Sequence, residues 1–322
     1  MESPEYLHSE MADLDLDSLS AKDLPEGHKS GFVAVVGRPN VGKSTLMNAF
    51  LGQKIAIVTH RPQTTRSNQL GIITRPEYQI IFVDTPGLTK PRHKLDEFMV
   101  GEADESLQDA DIVLWLVEAN ERPGAGDRFI AATIRSLPEQ SQIVLGINKA
   151  DLLSPEEVQE RTEAYRAFVP DSPWILFSAL HGNGTPALLD LLIGALPEGP
   201  RYFPADQTTD SYERDIAAEL VREQVFLQMR EEIPYGTVVV VEQFKERENG
   251  VTFIAATIYV ERDNHKKMLI GHKGEQLRKI GSAARRQIEE MVQGRVYLEL
   301  FVKVEPQWRY KEQLLKRFGY GR

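Results

Sequence analysis

GRPNVGKS, running from Gly37 to Ser44, is the stretch that decides how the first half of this chain folds. It follows the apolar run Phe32 to Val36 and precedes the helix-compatible Thr45 to Leu51. The pattern G-x-x-x-x-G-K-[ST] between a strand and a helix is typical of a loop that wraps phosphate groups. The predicted nucleotide-binding residues of this loop are Gly37, Asn40, Val41, Gly42, Lys43, Ser44 and Thr45.

Roles within the loop follow from residue chemistry. Glycines let backbone N–H groups approach the phosphates, and the Lys43 ammonium reaches the β and γ phosphates. The Ser44 hydroxyl is expected on Mg²⁺, which needs a near-octahedral shell of oxygen ligands. These expectations make a nucleoside triphosphate the predicted ligand.

Outward from the loop, five short apolar runs alternate with helix-compatible segments. The predicted strands are Phe32 to Val36, Gln79 to Val83, Ile112 to Val117, Ile143 to Ile147 and Trp174 to Phe177. Strands that alternate with helices predict an α/β domain with a mostly parallel sheet covered on both faces.

DTPG, from Asp84 to Gly87, comes directly after the second predicted strand. Asp84 is expected to hold Mg²⁺ through water, and Gly87 to present its N–H to the γ-phosphate. Upstream, Gln63-Thr64-Thr65-Arg66 is typical of a switch loop whose threonine completes Mg²⁺ coordination. Thr65 is the favoured ligand and Thr64 the alternative. The predicted catalytic set is Lys43, Thr65, Asp84 and Gly87, and the predicted metal set is Ser44, Thr65 and Asp84.

NKAD, from Asn148 to Asp151, predicts which base is bound. The Asp151 carboxylate can accept from the N1–H and exocyclic amine of guanine, which adenine does not offer in that arrangement, so GTP is predicted. Asn148 would hold the base and the loop, and the Lys149 stem would lie on the purine. A backbone N–H of Ser178, Ala179 and Leu180 would reach the guanine carbonyl.

Leu88 follows DTPG, where Ras-like GTPases carry a glutamine that orients the attacking water. An apolar side chain cannot position water through a polar group. The chain is therefore expected to hydrolyse GTP slowly alone, or to borrow help.

The second half of the chain has a different pattern. Helix, strand, strand, short helix, helix and strand are predicted between Tyr212 and Val304, which indicates an α+β domain of the type II KH class. A GxxG loop stands between the last two helices, where RNA backbones pass close to helix N-termini. Predicted RNA-binding residues are Ile270, Gly271, His272, Lys273, Gly274, Arg278, Lys279, Arg285 and Arg286. The tail from Trp308 to Tyr320 could pack on the domain or touch RNA, with packing favoured.

Charge and composition bound the alternatives. The net charge is −10 over 322 residues, yet Arg262 to Arg322 holds 15 Lys and Arg against 7 Asp and Glu. This basic segment favours nucleic acid as a partner. Without cysteine, disulfides, cysteine zinc sites and thiol chemistry are excluded. The expected division is an acidic, disordered extension at 1–29, a GTPase domain at 30–197, a linker at 198–211 and the KH domain at 212–322.

Taken together, these motifs resemble the Era family, bacterial and organellar GTPases that couple a G domain to a type II KH domain. The resemblance runs from about Gly31 to Tyr320 and includes GRPNVGKSTLMN, QTTR, DTPG, NKAD, SAL, GHKG and VKVEPQWR. It implies binding to the 3′ end of small-subunit (16S-type) ribosomal RNA and maturation of the 30S subunit. It also implies a cytoplasmic location with some peripheral association with the inner face of the cell membrane. The acidic extension departs from the family and has no role there.

Some GTPases with the same apolar substitution bind K⁺ through a phosphate-loop asparagine that matches Asn40. Asn40 is therefore a candidate K⁺ ligand, and the alternative is an amide that stabilises the loop. Two other functions remain open from the sequence. One is an RNA-binding structural protein whose nucleotide site serves only stability. The other is a GTPase of tRNA modification or translation.

Overall fold

The computed structural model describes residues 24–54, 56, 58, 64–88, 91, 93–138, 141–247 and 249–320. Most of the predicted acidic extension and Gln63 of the QTTR motif therefore lie outside the described residues. Helices α1 to α9 span Lys43–Leu51, Lys94–Asp109, Ala125–Arg135, Pro155–Arg166, Thr185–Ala195, Glu213–Gln228, Asp263–Ile270, Glu275–Met291 and Glu312–Arg317. Strands β1 to β9 span Lys29–Gly37, Gln69–Thr74, Tyr78–Asp84, Ile112–Glu118, Gln142–Asn148, Trp174–Leu176, Val238–Glu246, Val251–Val260 and Arg295–Val304.

The first domain is built on a six-stranded sheet with strand order β2-β3-β1-β4-β5-β6. Side chains alternate across β1, so Val33 and Val35 enter one core cluster while Ala34 and Val36 enter the other. Each cluster is closed by helices, with α1 and α5 on one face and α2, α3 and α4 on the opposite face. This two-sided burial explains why the central strands are apolar throughout.

The predicted mostly parallel sheet is confirmed, with one strand that the sequence did not indicate. Strand β2 pairs antiparallel with β3 at the edge of the sheet, while the other neighbours pair in parallel. Its sequence, QLGIIT, has polar ends and a glycine at Gly71, which weaken the strand signal. The five predicted strands are all present, with shifts of up to three residues at their ends.

Local signals fix several helix starts. Helix α4 has Ser154 at its N-cap and Pro155 in its first turn, and Glu157 completes a capping box with Ser154. Helix α1 begins immediately after Gly42, whose φ of 102° is left-handed. That conformation is open to glycine at little cost, so the phosphate-loop pattern also specifies where the helix starts.

The second domain carries the three-stranded sheet β7-β8-β9, in which β7 and β8 are antiparallel and β8 and β9 are parallel. Helices α6 and α8 cover one face of this sheet with a shared apolar cluster. On α8 the buried residues Ile280, Ala284 and Ile288 recur every four residues, which places them on one side of the helix. The predicted α+β order is confirmed.

Residues 198–211, predicted as a linker, lie against the first domain. The N–H of Ile72 donates to the carbonyl of Thr208 at 2.9 Å. The N–H groups of Tyr202 and Phe203 both donate to Gln79 Oε1, at 2.7 and 3.0 Å. Since these bonds use the backbone of β2 and a buried side chain of β3, the segment is a fixed strap rather than a free tether.

The tail after β9 packs between the two domains. Trp308 is fully buried, and its indole N–H donates to the carbonyl of Gly236 at 2.9 Å. Leu95 and Met99 of α2 join an apolar cluster with Val238, Tyr259, Trp308, Leu315 and Tyr320. Of the two possibilities that the sequence left open for this tail, the structure has packing. Among the described residues no helix is long and apolar enough to cross a membrane.

Candidate functional site

A cleft of about 640 Å³ lies at the carboxyl edge of the larger sheet. Lys43 and Asp151, predicted to grip opposite parts of one nucleotide, both line it. Of the residues predicted from the sequence, its walls include Asn40, Gly42, Lys43, Ser44, Thr45, Thr65, Asn148, Lys149, Asp151, Ser178, Ala179 and Leu180. The phosphate-loop and base-recognition motifs, distant in sequence, therefore share one cavity.

Four predicted residues stand behind the walls of this cleft. A side chain on Gly37 would strike the carbonyl of Leu116 at 2.5 Å, and one on Gly87 would meet Pro39 at 3.0 Å. Val41 is buried in the core, so only its backbone can serve the site. Asp84 is also fully buried, beneath Ser44.

Lys43 is held inside the phosphate loop. Its Nζ donates to the carbonyl oxygens of Gly37 at 3.3 Å and Arg38 at 3.4 Å. Burial lowers the pKa of Lys43, and the nearby Asp84 carboxylate opposes that shift. A buried ammonium gains most when an anion arrives, because few protein groups compensate its charge.

Ser44, Thr65 and Asp84 converge to form a set of oxygen atoms suited to a hard cation. Ser44 Oγ donates to Asp84 Oδ2 at 2.7 Å, and Thr65 Oγ1 lies 3.2 Å from Ser44 Oγ. Asp84 Oδ1 is buried and has no hydrogen-bond partner among the described residues. Burial also raises the pKa of Asp84. Two hydroxyls and an unsatisfied carboxylate oxygen fit Mg²⁺, and the threonine hydroxyl within hydrogen-bond distance of this set is that of Thr65.

Asn148 connects three motifs. Its Nδ2 donates to the carbonyl of Val41 at 2.8 Å, and its Oδ1 accepts from the N–H of Ala179 at 2.9 Å. The N–H of Ser178 donates to the carbonyl of Asn183. Two of the three N–H groups predicted for the guanine carbonyl are thus used inside the protein. The third belongs to Leu180, which lines the cleft with its side chain largely exposed.

The two charged residues of NKAD have partners of their own. Lys149 Nζ forms an ion pair with Glu118, and His181 Nε2 lies 3.8 Å from Asp151 Oδ2. Lys149 adopts a left-handed backbone conformation, with a φ of 63°, at the start of the short turn that carries Asp151. Glu118 was not identified from the sequence, because a carboxylate at the end of a strand carries no motif.

Leu88 and Asn40, the two residues considered for hydrolysis, face different environments. Leu88 is buried in the core cluster on the α2 side of the sheet, so its side chain is turned away from solvent. Asn40 is exposed, lines the cleft and has a φ of 68°. Of the two, only Asn40 is positioned to meet a ligand.

The switch loop is held by the second domain, which the sequence did not indicate. The Arg66 guanidinium donates to the carbonyls of Thr237 at 2.8 Å and Tyr235 at 2.9 Å. Arg222 donates to the carbonyl of Thr64. Both arginines are almost completely buried. The backbone of Thr64 and the side chain of Arg66, on either side of Thr65, are therefore anchored by α6 and the loop before β7.

Glu223, next to Arg222 on α6, extends this anchor. Its carboxylate accepts from Lys54 Nζ at 2.6 Å, from the N–H of Val58 at 3.0 Å and from Gln287 of α8 at 3.0 Å. A helix that exposes charges to solvent and a helix that buries them at an interface have the same sequence pattern. The interface could therefore not be inferred from the sequence.

A second concave surface, which we call the KH groove, has a volume of about 490 Å³ and lies between α8 and β9. The loop before α8 reverses the chain at Gly271 and Gly274, whose φ angles are 73° and 78°. The walls of the groove are Gly274, Leu277, Arg278, Gly281, Ser282, Arg285, Val296, Tyr297, Leu298 and Leu300. Its basic residues stand along the rim and its floor is apolar, a combination suited to unpaired bases with phosphates outside.

The structure places the predicted RNA-binding residues at different distances from this groove. Gly274, Arg278 and Arg285 line it, and Gly271, His272 and Lys273 form the loop at its end. Lys279 and Arg286 are exposed on α8 without lining the groove, and Ile270 packs against the domain core. Sequence reasoning missed the wall from β9, because an alternating strand gives no sign of which edge is open.

Comparison with known protein families gives two matches on this chain. Residues 32–149 match the model of a 50S ribosome-binding GTPase, and residues 232–309 match a KH domain. The first match covers the phosphate loop, DTPG and the start of NKAD. The second covers the GxxG loop, both flanking helices and β9.

Relatives align over nearly the whole chain. GTPase Era of Halothermothrix orenii is 48% identical over 293 residues, which is 91% of this chain and 99% of the relative. GTPase Era of Crocosphaera subtropica is 46% identical over 310 residues, covering 95% and 98%. Both domains and the strap between them are therefore shared.

Two solved structures have the same two-domain arrangement. A crystal structure of Era with MgGDPNP and nucleotides 1506–1542 of 16S ribosomal RNA matches with a TM-score of 0.88 and 37% identity. It covers 92% of this chain and the whole of that one. A tyrosine-to-alanine variant of Aquifex aeolicus Era bound to GDP and AlF4− matches with a TM-score of 0.86 and 37% identity, covering 91% of this chain.

Proposed function

The chain belongs to the Era family of GTPases, and from this premise we propose that it is a GTP-driven switch that binds the 3′ end of small-subunit ribosomal RNA and assists assembly of the 30S subunit. The observation that carries the proposal is the buried anchor between the domains. Thr65, a candidate Mg²⁺ ligand, is flanked by Thr64 and Arg66, and both of these are bonded to the RNA-binding domain.

At the phosphate end, Lys43 leaves the carbonyls of its own loop and bonds the β and γ phosphates. The N–H groups of the loop and the start of α1 add positive potential. Ser44 and Thr65 ligate Mg²⁺ and Asp84 holds it through water; the unsatisfied Asp84 oxygen supports this role. Mg²⁺ neutralises charge that develops on the phosphates.

At the base end, Asp151 accepts from the N1–H and amine of guanine, and the Lys149 stem covers the purine. Asn148 keeps the phosphate loop and the SAL loop at a fixed separation, since it bonds Val41 and Ala179 at once. The Leu180 N–H is then the donor for the guanine carbonyl. This arrangement selects GTP because adenine would leave a carboxylate without a donor.

Hydrolysis proceeds without a glutamine, and the burial of Leu88 supports a mechanism in which help comes from elsewhere. Gly87 presents its N–H to the γ-phosphate, and Asn40 would hold a K⁺ ion that would supply positive charge at the phosphates. Phosphate release in KCl should exceed that in NaCl at equal ionic strength. Equal rates would remove K⁺ from the mechanism, and Asn40→Ala should then behave like the parent in both salts.

The nucleotide cleft and the KH groove are coupled through the interdomain bonds of Arg66 and Arg222. When GTP and Mg²⁺ draw Thr65 inwards, the adjacent peptides move relative to α6 and to the loop before β7, so docking of the RNA domain changes. RNA that favours one docked arrangement must, by reciprocity, favour one nucleotide state. GTP favours the RNA-engaged arrangement of the domains, and hydrolysis of GTP ends it.

The RNA partner is proposed from the relative that was crystallised with 16S ribosomal RNA nucleotides. The apolar floor and basic rim of the KH groove support an unpaired strand rather than a duplex, because splayed bases need an apolar surface to stack on. This partner and the KH fold also favour a role in 30S assembly over tRNA modification.

The deciding experiment measures GTP hydrolysis with and without a 3′-terminal fragment of small-subunit ribosomal RNA. We expect the fragment to raise the rate, and a scrambled fragment or tRNA to leave it unchanged. The double variant Arg278→Gln/Arg285→Gln should lose the response, and its rate without RNA checks that the nucleotide cleft is intact. A rate insensitive to the fragment, or one raised equally by tRNA, contradicts the proposal.

A cytoplasmic site of action goes with the proposed 30S partner. Peripheral association with the inner face of the cell membrane, implied by the family resemblance, stays a prediction. Fractionation of cells expressing the tagged chain, with a salt wash of the membrane pellet, measures it directly.

A further inference from the structure

The outer face of the KH sheet, opposite α6 and α8, carries a pair of aromatic rings. Phe253 of β8 and Tyr297 of β9 are register partners, with ring centroids 6.0 Å apart and planes 17° apart. Their neighbours Ile254 and Val296 point the other way, into the domain core. Tyr297 is 51% exposed although its ring stacks on a partner.

Positive charge surrounds the pair. The Arg247 guanidinium lies 4.3 Å from the Phe253 ring centroid and 5.7 Å from that of Tyr297. Lys245 is the register partner of Phe253 on β7, and Arg295 precedes Tyr297 by two residues on the same face of β9. All three cations are exposed. The next residue on that face of β9 is Glu299, which is half-buried.

The pair is continuous with the KH groove. Tyr297 lines the groove together with Arg278 and Arg285, and it also forms the outer stack with Phe253. Since β9 is the edge strand of the sheet, a chain that leaves the groove over this edge meets the tyrosine ring next. Arg247 lies closer to Phe253 than to Tyr297, so it orients the stack while the Tyr297 ring remains accessible.

We infer that Tyr297, buttressed by Phe253 and Arg247, is a stacking site for a base of single-stranded RNA that continues beyond the KH groove, with Lys245 and Arg295 near its phosphates. The inference rests on the proposed RNA-binding function and extends its footprint around the edge of the sheet. Aromatic stacking tolerates any base, so the site adds affinity rather than sequence preference. One stacked base should tighten binding about tenfold.

The test compares RNA oligonucleotides of two lengths on the full chain by fluorescence anisotropy in about 150 mM KCl. The short probe is the tetranucleotide of the ribosomal 3′-terminal segment that binds best, a length matched to one KH groove. The long probes carry two added adenosines at the 5′ end or at the 3′ end. We expect one of these extensions to lower Kd about tenfold.

Variants assign that gain to the aromatic pair. Tyr297→Leu should abolish the gain from extension, Tyr297→Trp should retain it, and Phe253→Leu should reduce it. Because Tyr297 also lines the groove, Phe253→Leu is the variant that separates the outer stack from the groove itself. Tyr212→Leu, which removes a tyrosine 65% exposed at the start of α6, is the matched control and should behave like the parent.

A photochemical readout locates the base directly. 5-Iodouridine in place of an added adenosine should form an adduct on Tyr297, identified by mass spectrometry of the cross-linked peptide. Equal Kd values for short and extended probes on the parent, or a full gain in Tyr297→Leu, overturn the inference. Failure of the parent to bind the short probe would instead contradict the proposed RNA-binding function.

Discussion

The nucleotide cleft and the KH groove differ in where they keep their charges. Lys43 and Asp84 are almost wholly buried, whereas Arg278 and Arg285 are exposed on α8. A buried charge has lost its water and depends on a few fixed partners, while an exposed charge keeps its water and is screened by salt. Single residues should therefore dominate the first site, and the second should divide its affinity among many.

The largest effect is expected at Lys43. Lys43→Ala removes a buried cation aimed at the phosphates, and loss of one such group lowers turnover by about 10²–10³-fold. Phosphate release at saturating GTP measures it. Lys311→Ala, an exposed lysine beside α9, is the control and should leave the rate unchanged. An unchanged rate in Lys43→Ala would favour a nucleotide site that only stabilises the fold.

Asp151→Asn tests the other end of the same cleft. Loss of the carboxylate should weaken GTP binding by about 2–5 kcal/mol, because guanine donors then face an amide. Affinity for xanthosine triphosphate should rise, since the new N–H can donate to the additional carbonyl of xanthine. Calorimetric titration with GTP and with xanthosine triphosphate measures the change in both affinities. Asp171→Asn, an exposed aspartate before β6, should keep the parental preference, and a GTP-selective Asp151→Asn would refute the assignment.

Arg66→Ala tests the interface between the two domains. It leaves the buried carbonyl of Thr237 and the partly buried carbonyl of Tyr235 without donors, which should lower stability by about 1–3 kcal/mol. Urea unfolding followed by tryptophan fluorescence reports the change, because Arg66 lies 5.5 Å from the Trp308 ring. Arg66→Lys should recover part of the loss, and the exposed Arg75→Ala should be neutral. Equal stability of Arg66→Ala and Arg75→Ala would argue against a rigid anchor.

A smaller, graded response is expected in the KH groove. Arg278→Gln or Arg285→Gln should each weaken RNA binding only several-fold and flatten the salt dependence of log Kd by about one unit. Titrations at several KCl concentrations give both numbers. A loss of a hundredfold from one of these residues would erase the contrast with Lys43.

The smallest effect concerns pH at the domain interface. His93, the N-cap of α2, has a lowered pKa because of burial, reinforced by the cations of Arg309 and Arg66 and opposed by Asp96 and Glu261. Folding then favours neutral imidazole, so stability should fall as pH drops below the ordinary value of 6.5 towards the lowered pKa. Urea midpoints between pH 7.5 and 5 should show the decline, and His93→Gln should lessen it. An identical decline of the urea midpoint in His93→Gln would show that titratable groups other than His93 cause it.

The sequence was most informative where structure depends on local patterns. The phosphate loop, DTPG and NKAD each follow a buried strand, and the carboxyl ends of parallel strands meet at one edge, so their convergence could be predicted. Strand β2 was not predicted, because QLGIIT lies at the edge of the sheet and is recognisable as a strand only from its pairing with β3. The interdomain bonds of Arg66, Arg222 and Glu223 were not predicted. Whether a charged side chain is buried depends on what packs against it, which the sequence does not show.

Of the RNA-binding predictions, Arg278 and Arg285 line the groove and Lys279 and Arg286 do not. All four are cations on one predicted helix, and sequence alone could not say which side of α8 faces β9. Gly281 beside Ser282 was the available hint, because two small residues in mid-helix make room for an approaching chain.

Trp308, Leu315 and Tyr320, which join the two domains, are translated after the whole first domain and after the last strand of the second. During synthesis the first domain can fold and take up nucleotide while the apolar side of α2, with Leu95 and Met99, is still uncovered. The nascent protein therefore passes through a stage in which its nucleotide-binding domain is complete but not yet connected to its RNA-binding domain. A chain that ended before residue 308 would leave the apolar side of α2 uncovered, which would make it a target for chaperones and proteases.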